Sequence, residues 1–251
     1  MTYISGIYDY DNYLIEFLPL ADIINLSIVN SSLNELVSKS KIYSEYAQLK
    51  KTKKDLMLEY CYQNGLINIL KNYYRNGKNI FIPQSINYAS GNGHVAILDW
   101  FKNSDFEFKY SYWAINFASK NGHVAILDWF KKSDFEFKYS ENAIIHASRN
   151  GYVAILDWFK KSDFEFKYSK HAIDYASHYG HVAVLDWFKN SDFEFKYSNW
   201  AIDNASENGH VVILDWLKNS DFEFKYSKNA INWASQNGHV VILDWFKKLN
   251  K

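Results

Sequence analysis

Residues 111–139, SYWAINFASKNGHVAILDWFKKSDFEFKY, carry apolar positions in two successive rhythms. Ala114, Ile115 and Ala118 mark one face at helical spacing. Ser111 stands just before them and reads as an N-cap, because its hydroxyl can accept from a free N–H of the first turn. Gly122 follows as a stop that tolerates positive φ. His123 opens a second helix whose Val124, Ile126, Leu127, Trp129 and Phe130 form a wide apolar face. Asp128, four residues before Lys132, predicts a favourable surface pair. From Asp134 to Tyr139 charged and apolar residues alternate, which is the period of extended chain. This stretch predicts a connector with its rings turned inward.

The pattern recurs. The octapeptide SDFEFKYS occurs five times, each copy 29 residues after the last, and Gly93, Gly122, Gly151, Gly180, Gly209 and Gly238 keep the same step. A fixed period of this size marks a stacked array in which each unit buries its apolar face against its neighbours. The prediction is an all-α solenoid with helix pairs near 83–104, 112–133, 141–162, 170–191, 199–220 and 228–249. An α/β solenoid, with the connectors pairing as strands, is the structural alternative. Upstream, Met57, Leu58, Cys61, Gly65, Ile67, Ile69, Leu70 and Tyr73 fall on the same core positions, a degenerate first repeat. Pro83 suits a first helical position, where its missing N–H costs nothing. The last unit ends in the same apolar set as the internal ones rather than in a polar cap.

The unit resembles the ankyrin repeat. Ala114-Ile115, Ala118-Ser119, Asn121-Gly122-His123 and Val124-Ala125-Ile126-Leu127-Asp128-Trp129-Phe130 follow that family's two-helix core in order and spacing. The ankyrin period is 33 residues; this one is four shorter and lacks the Thr-Pro-Leu-His turn, which implies a trimmed finger between units. Short aromatic arrays of this kind look like those encoded by giant DNA viruses of the Mimivirus type. The N-terminal stretch from Phe17 to Asn30, with Leu18-Pro19-Leu20, Asp22-Ile23 and Leu26-Ser27-Ile28-Val29, resembles the F-box motif, although the family's opening Leu-Pro-x-Glu and later Trp are absent. The expected organisation is an F-box-like or capping module over 1–50, a degenerate repeat over 51–81, and six repeats over 82–251. The resemblance implies that Leu18, Pro19, Leu20 and Ile23 face a Skp-type adaptor of a cullin–RING ubiquitin ligase.

Composition narrows the function. Lys plus Arg and Asp plus Glu are both 28, so no global field pulls the chain toward nucleic acid or anionic membrane. Aromatics reach 19%, and most recur inside the repeat, where they read as core. The single cysteine, Cys61, excludes an internal disulfide and fits a reducing compartment. No apolar run matches a membrane span, and the N-terminus does not read as a secretory signal. The expectation is an intracellular, cytoplasmic protein, in the host cytoplasm if viral.

One His stands in each repeat, at His94, His123, His181, His210 and His239, with Tyr152 in the remaining place. Units a helix spacing apart cannot gather such residues into one zinc shell. By the ankyrin resemblance this His hydrogen-bonds across the inter-helix turn. Asp99, Asp128, Asp157, Asp186, Asp215 and Asp244 read as surface helix residues. No nucleophile–base set and no phosphate loop stands out, so neither an enzyme nor a cofactor is expected.

Differences between copies concentrate in the first helix. The columns read Tyr112, Glu141, Lys170, Asn199, Lys228; Trp113, Asn142, His171, Trp200, Asn229; Asn116, Ile145, Asp174, Asp203, Asn232; Phe117, His146, Tyr175, Asn204, Trp233; and Lys120, Arg149, His178, Glu207, Gln236. By the resemblance this helix lines the concave side, so these columns predict a groove for a protein target. Neutral drift at unburied positions is the alternative; other exposed positions, such as the connector Glu and Lys, stayed identical in every copy. The readings that follow are a ligase substrate receptor, an interaction protein without a ligase link, or a structural part of a virion or other assembly.

Overall fold

The computed structural model describes residues 54–82, 84–104 and 108–249. The F-box-like segment, Pro83 and the last two residues lie outside the described residues. The chain divides into two compact units, Met1–Tyr110 and Ser111–Lys251. All regular structure among the described residues is helical, so the strand-paired alternative is set aside.

In the first unit, α1 (Lys54–Gln63) pairs with α2 (Ile67–Arg75), and α3 (Ser85–Gly91) with α4 (Val95–Lys102). Their shared core includes Leu58, Cys61, Tyr62, Leu70, Ile86, Leu98 and Phe101. Burial pushes the Cys61 thiol up to about 12, so it stays protonated and inert. Tyr62 buries its ring and donates its hydroxyl to the Ile80 carbonyl at 2.8 Å.

The second unit holds five helix pairs. The first helices are α5 (Trp113–Lys120), α7 (Asn142–Arg149), α9 (His171–His178), α11 (Trp200–Glu207) and α13 (Lys228–Gln236). Each is followed by a second helix: α6 (Val124–Lys132), α8 (Val153–Lys161), α10 (Val182–Lys189), α12 (Val211–Lys218) and α14 (Val240–Leu249). Helices this short are not stable alone in water; the stack stabilises them. Ala114, Ala118, Ala143, Ala147, Ala172, Ala176, Ala201 and Ala205 are all fully buried. These small side chains let first helices of consecutive units lie against each other along their lengths, while second helices approach only sparsely. Phe130, Phe159, Phe188 and Leu217 fill the wider gap on the second-helix side.

The turn between paired helices is a Schellman motif. In the first pair of this unit, His123 N–H donates to the Ala118 carbonyl at 2.9 Å and Gly122 N–H to the Ser119 carbonyl at 3.3 Å. Gly122 has φ +77, and the side chain of Tyr152 from the next unit passes so close that a Cβ there would lie 3.1 Å from it. At Gly151 the same place is taken by the His181 ring, 2.9 Å from a Cβ. The His column therefore packs on the glycine of the unit before. His181 Nε2 also reaches back to the Arg149 carbonyl at 3.0 Å, and His239 Nε2 to the Glu207 carbonyl at 2.8 Å. The expected structural role is seen, but the bond spans two units rather than one turn.

The connector explains its own constancy. Phe137 stacks on Phe164 at 4.1 Å, Phe166 on Phe193 at 4.1 Å and Phe195 on Phe222 at 4.1 Å. Each pair joins two successive connectors. Lys167, Lys196 and Lys225 lie over Tyr139, Tyr168 and Tyr197 of the connector before, at 4.7, 5.0 and 5.4 Å. Lys138, Lys196 and Lys225 also meet Glu136, Glu194 and Glu223 at 3.3, 3.3 and 3.2 Å. Exposed residues of the connector are thus fixed by neighbours.

Candidate functional site: the first-helix face

The connector Ser caps the first helix in four of the five pairs of the second unit; Ser169 meets the His171 ring instead. Ser111 Oγ accepts from Trp113 N–H at 3.3 Å, Ser140 Oγ from Asn142 N–H at 3.3 Å and Ser227 Oγ from Asn229 N–H at 3.1 Å. This is the expected cap. What fixes the Ser in turn is the third variable column. Ser198 donates its N–H to Asp174 Oδ1 at 2.8 Å and its hydroxyl to Asp174 Oδ2 at 2.7 Å. Ser227 does the same to Asp203, at 2.8 and 2.6 Å. Asn116 gives its Nδ2 to Ser140 Oγ at 2.7 Å and accepts from Ser140 N–H at 3.2 Å.

The structure therefore corrects three expected partner-binding residues. Asn116, Asp174 and Asp203 are 0%, 2% and 1% exposed and tie one unit to the next. Burial raises the Asp174 carboxyl above its ordinary value, against the two Ser198 bonds that favour the charged form. The Asp column of the second helix lies at the surface as expected, but its hydrogen-bond partners are tryptophans of the next repeat. Trp158 Nε1 donates to Asp128 Oδ1 at 2.7 Å, Trp187 to Asp157 at 2.7 Å, Trp216 to Asp186 at 2.7 Å and Trp245 to Asp215 at 2.6 Å. The lysine four residues on is a secondary neighbour, as in Lys161–Asp157 at 4.0 Å.

The remaining columns form one accessible face. Tyr112, Trp113 and Trp200 are 43%, 37% and 54% exposed, and Tyr175 is exposed as well. Lys120, Glu141, Asn232 and Gln236 are exposed; Phe117, His146, Arg149, His171, His178, Asn204, Glu207 and Trp233 are half-buried. Tyr112, Trp113 and Phe117 make a run of rings, with centroids 5.0 and 5.1 Å apart. Arg149 lies over Tyr179 at 4.9 Å and Tyr175 at 5.7 Å, and it donates from Nη2 to the Tyr179 hydroxyl. His178 meets Tyr179 edge-on at 4.5 Å. Burial first, then the charges of Lys120 and Arg149, hold His146 below the ordinary histidine value. Burial also depresses His178, with Glu207 pulling the other way.

Tyr179 escaped the sequence reading. It occupies a column otherwise made of Asn121, Asn150, Asn208 and Asn237. Asn150 and Asn237 use their amides to hold the Lys120 and Glu207 carbonyls of the unit before, at 2.8 and 2.9 Å. A single tyrosine in a column of capping asparagines was the available signal. Among the described residues no three His, Cys, Asp or Glu side chains converge as metal ligands, and no helix is long and apolar enough to cross a membrane.

No protein-family model matches the chain, and neither does any curated protein. Among solved structures it is similar to the human ASB11 ankyrin repeat domain, with a TM-score of 0.50 and 16% identity, over 74% of this chain and 96% of that one. With the helix pairs and turns described above, that likeness shows that the chain has the ankyrin-repeat fold.

Proposed function

We propose that this chain is a protein–protein interaction scaffold that holds a protein target on the first-helix face. One observation carries the reading. Away from the last repeat, the exposed aromatic side chains of the second unit collect on this face as Tyr112, Trp113, Tyr175, Tyr179 and Trp200; the exceptions are Tyr152, which covers Gly122, and Tyr226, in the connector that leads into the last repeat. Rings left in water on one face of a folded stack are characteristic of interfaces, where aromatic anchors dominate the binding energy. Replacing Tyr112, Trp113, Tyr175, Trp200 and Trp233 together with Ala tests it. Capture of the target should be abolished while the helical signal persists; target capture by the five-fold variant at the level of the unchanged chain would end the reading.

The finer proposal concerns residues 1–50. Leu18-Pro19-Leu20-x-Asp22-Ile23 supports an F-box-like module that recruits a Skp-type adaptor, making the chain a substrate receptor of a cullin–RING ligase. Leu18→Ala with Pro19→Ala in the full chain should lower adaptor recovery and leave target capture intact. If the unchanged chain recovers no adaptor where a known F-box protein does, the module is a cap of the repeat stack and the chain a binding protein without a ligase link.

A further inference from the structure

The first-helix face is not uniform in charge. Along its last variable column the residues run Lys120, Arg149, His178, Glu207, Gln236, from basic to acidic and neutral. The basic end is built in three dimensions as well. His146 sits close enough to both Lys120 and Arg149 to feel their charge. Among the described residues no carboxylate lies within ion-pair distance of Lys120 or Arg149, in a chain whose total charge is zero. His146 Nδ1 is buried and has no hydrogen-bond partner.

Arg149 has a further mark. The chain contains only two arginines, Arg75 and Arg149, against 26 lysines, and Arg149 is the single one in the second unit. Every other cation of that unit is a lysine or a titratable histidine. Arginine differs from lysine in presenting a planar fork of donors that matches a carboxylate with two parallel bonds. Here the fork is held in place before any partner arrives, between the rings of Tyr175 and Tyr179 and against the Tyr179 hydroxyl. Tyr179 itself is the departure from a column of asparagines. A rare residue and a departure from its column, one repeat apart, thus combine to fix one guanidinium on the exposed face.

We infer that Lys120, His146 and Arg149, walled by Phe117, Tyr175 and Tyr179, form an acidic-side-chain subsite that takes Asp or Glu carboxylates of the bound protein segment. The inference rests on the proposal that the first-helix face binds a protein. Charge complementarity sets the direction of the segment: its acidic part lies over α5 and α7, and its less acidic part continues past Trp200 and Glu207. The uncompensated cations find their partners in the complex, and the rings exclude water from the ion pair.

A phage-displayed library of random 12-residue peptides, selected on the full chain, provides the probe. Enriched peptides should carry adjacent Asp or Glu residues. Changing those to Asn or Gln in a synthetic copy should weaken binding about tenfold or more, the scale of losing a desolvated charge pair. Arg149→Glu should weaken it similarly with an unchanged melting midpoint, and a peptide with Glu replaced by Arg should prefer the Arg149→Glu protein. The inference falls if enriched peptides show no acidic preference, or if Arg149→Glu changes binding less than twofold. Binding lost on Tyr112→Ala with Trp113→Ala but insensitive to Arg149→Glu keeps the binding face and removes the subsite. Binding insensitive to both removes the face itself.

Discussion

Two faces of the second unit are made of the same repeat and behave oppositely. On the connector side, Phe137, Phe164, Phe166 and Phe193 recur without change and stack in pairs across units. On the first-helix side, Phe117, His146, Tyr175, Asn204 and Trp233 share one column and have little chemistry in common. Exposure does not separate the two, because connector lysines are as open to water as the variable residues. Engagement with the next unit does. Lys167 lies on Tyr139 and Phe164 on Phe137, so a change in one copy disturbs the copy beside it. The constancy of the connector Lys is therefore structural and does not count against neutral drift, whereas the connector Glu pairs only with the Lys of its own copy. The case for binding rests instead on what the variable columns contain, large rings and one pinned arginine.

The comparison can be broken at two adjacent residues. Asp174 belongs to the buried, hydrogen-bonded set and Tyr175, whose ring meets only the Arg149 guanidinium across repeats at 5.7 Å, to the open face, one position apart on α9. Asp174→Ala removes both acceptors of Ser198 and should cost about 1.5–3 kcal/mol, the range for bonds to a charged group. Asp174→Asn should cost far less, since Asn116 performs the same task for Ser140. Tyr175→Ala should stay within about 0.5 kcal/mol, as surface changes do. Chemical denaturation of the three variants checks the order.

Gly151→Ala ranks next. Its φ of +74 and the His181 ring 2.9 Å from the new Cβ give two penalties. The backbone alone costs about 1–2 kcal/mol. Asn, which tolerates the left-handed region better, should not rescue it, because the ring is still in the way.

A smaller effect should appear with pH. Burial holds His146, His178 and His210 below the ordinary histidine value; at His210 a hydrogen bond to the His178 backbone works against it, while the charges of His178, His181 and His239 reinforce it. Below about pH 6.5, the ordinary histidine value, the unfolded chain binds protons at these sites before the folded one does. Stability contributed above that value is therefore lost as the pH falls further. Asp174, raised by burial, works in the opposite sense, but only in the carboxylate range. The melting midpoint should fall between pH 7.5 and 5.5, and His146→Gln should flatten the slope.

The fold was legible because its signals are local and repeated. Gly122 ends a helix, Ser111 caps one, and the apolar faces alternate between small and large residues, all visible within one 29-residue copy. The site was legible only in part. A sequence shows that Asp128 recurs, but not that its partner is Trp158, 30 residues on, rather than Lys132. The same blindness put Asn116, Asp174 and Asp203 on the surface. Their restricted chemistry, Asn or Asp in every copy except Ile145, was the hint that this column accepts hydrogen bonds rather than reads a partner. The pairing of Arg149 with Tyr179, 30 residues apart, needed the stack.

The central claim is that the engaged face builds the array and the variable face meets the partner. A photo-cross-linking residue placed singly at positions 113, 175 and 200, and at connector positions 136, 165 and 194, tests it in intact cells. The account predicts that one partner protein is trapped from 113, 175 and 200 and none from the connector positions. Equal trapping from both sets, or trapping from the connectors alone, would contradict it.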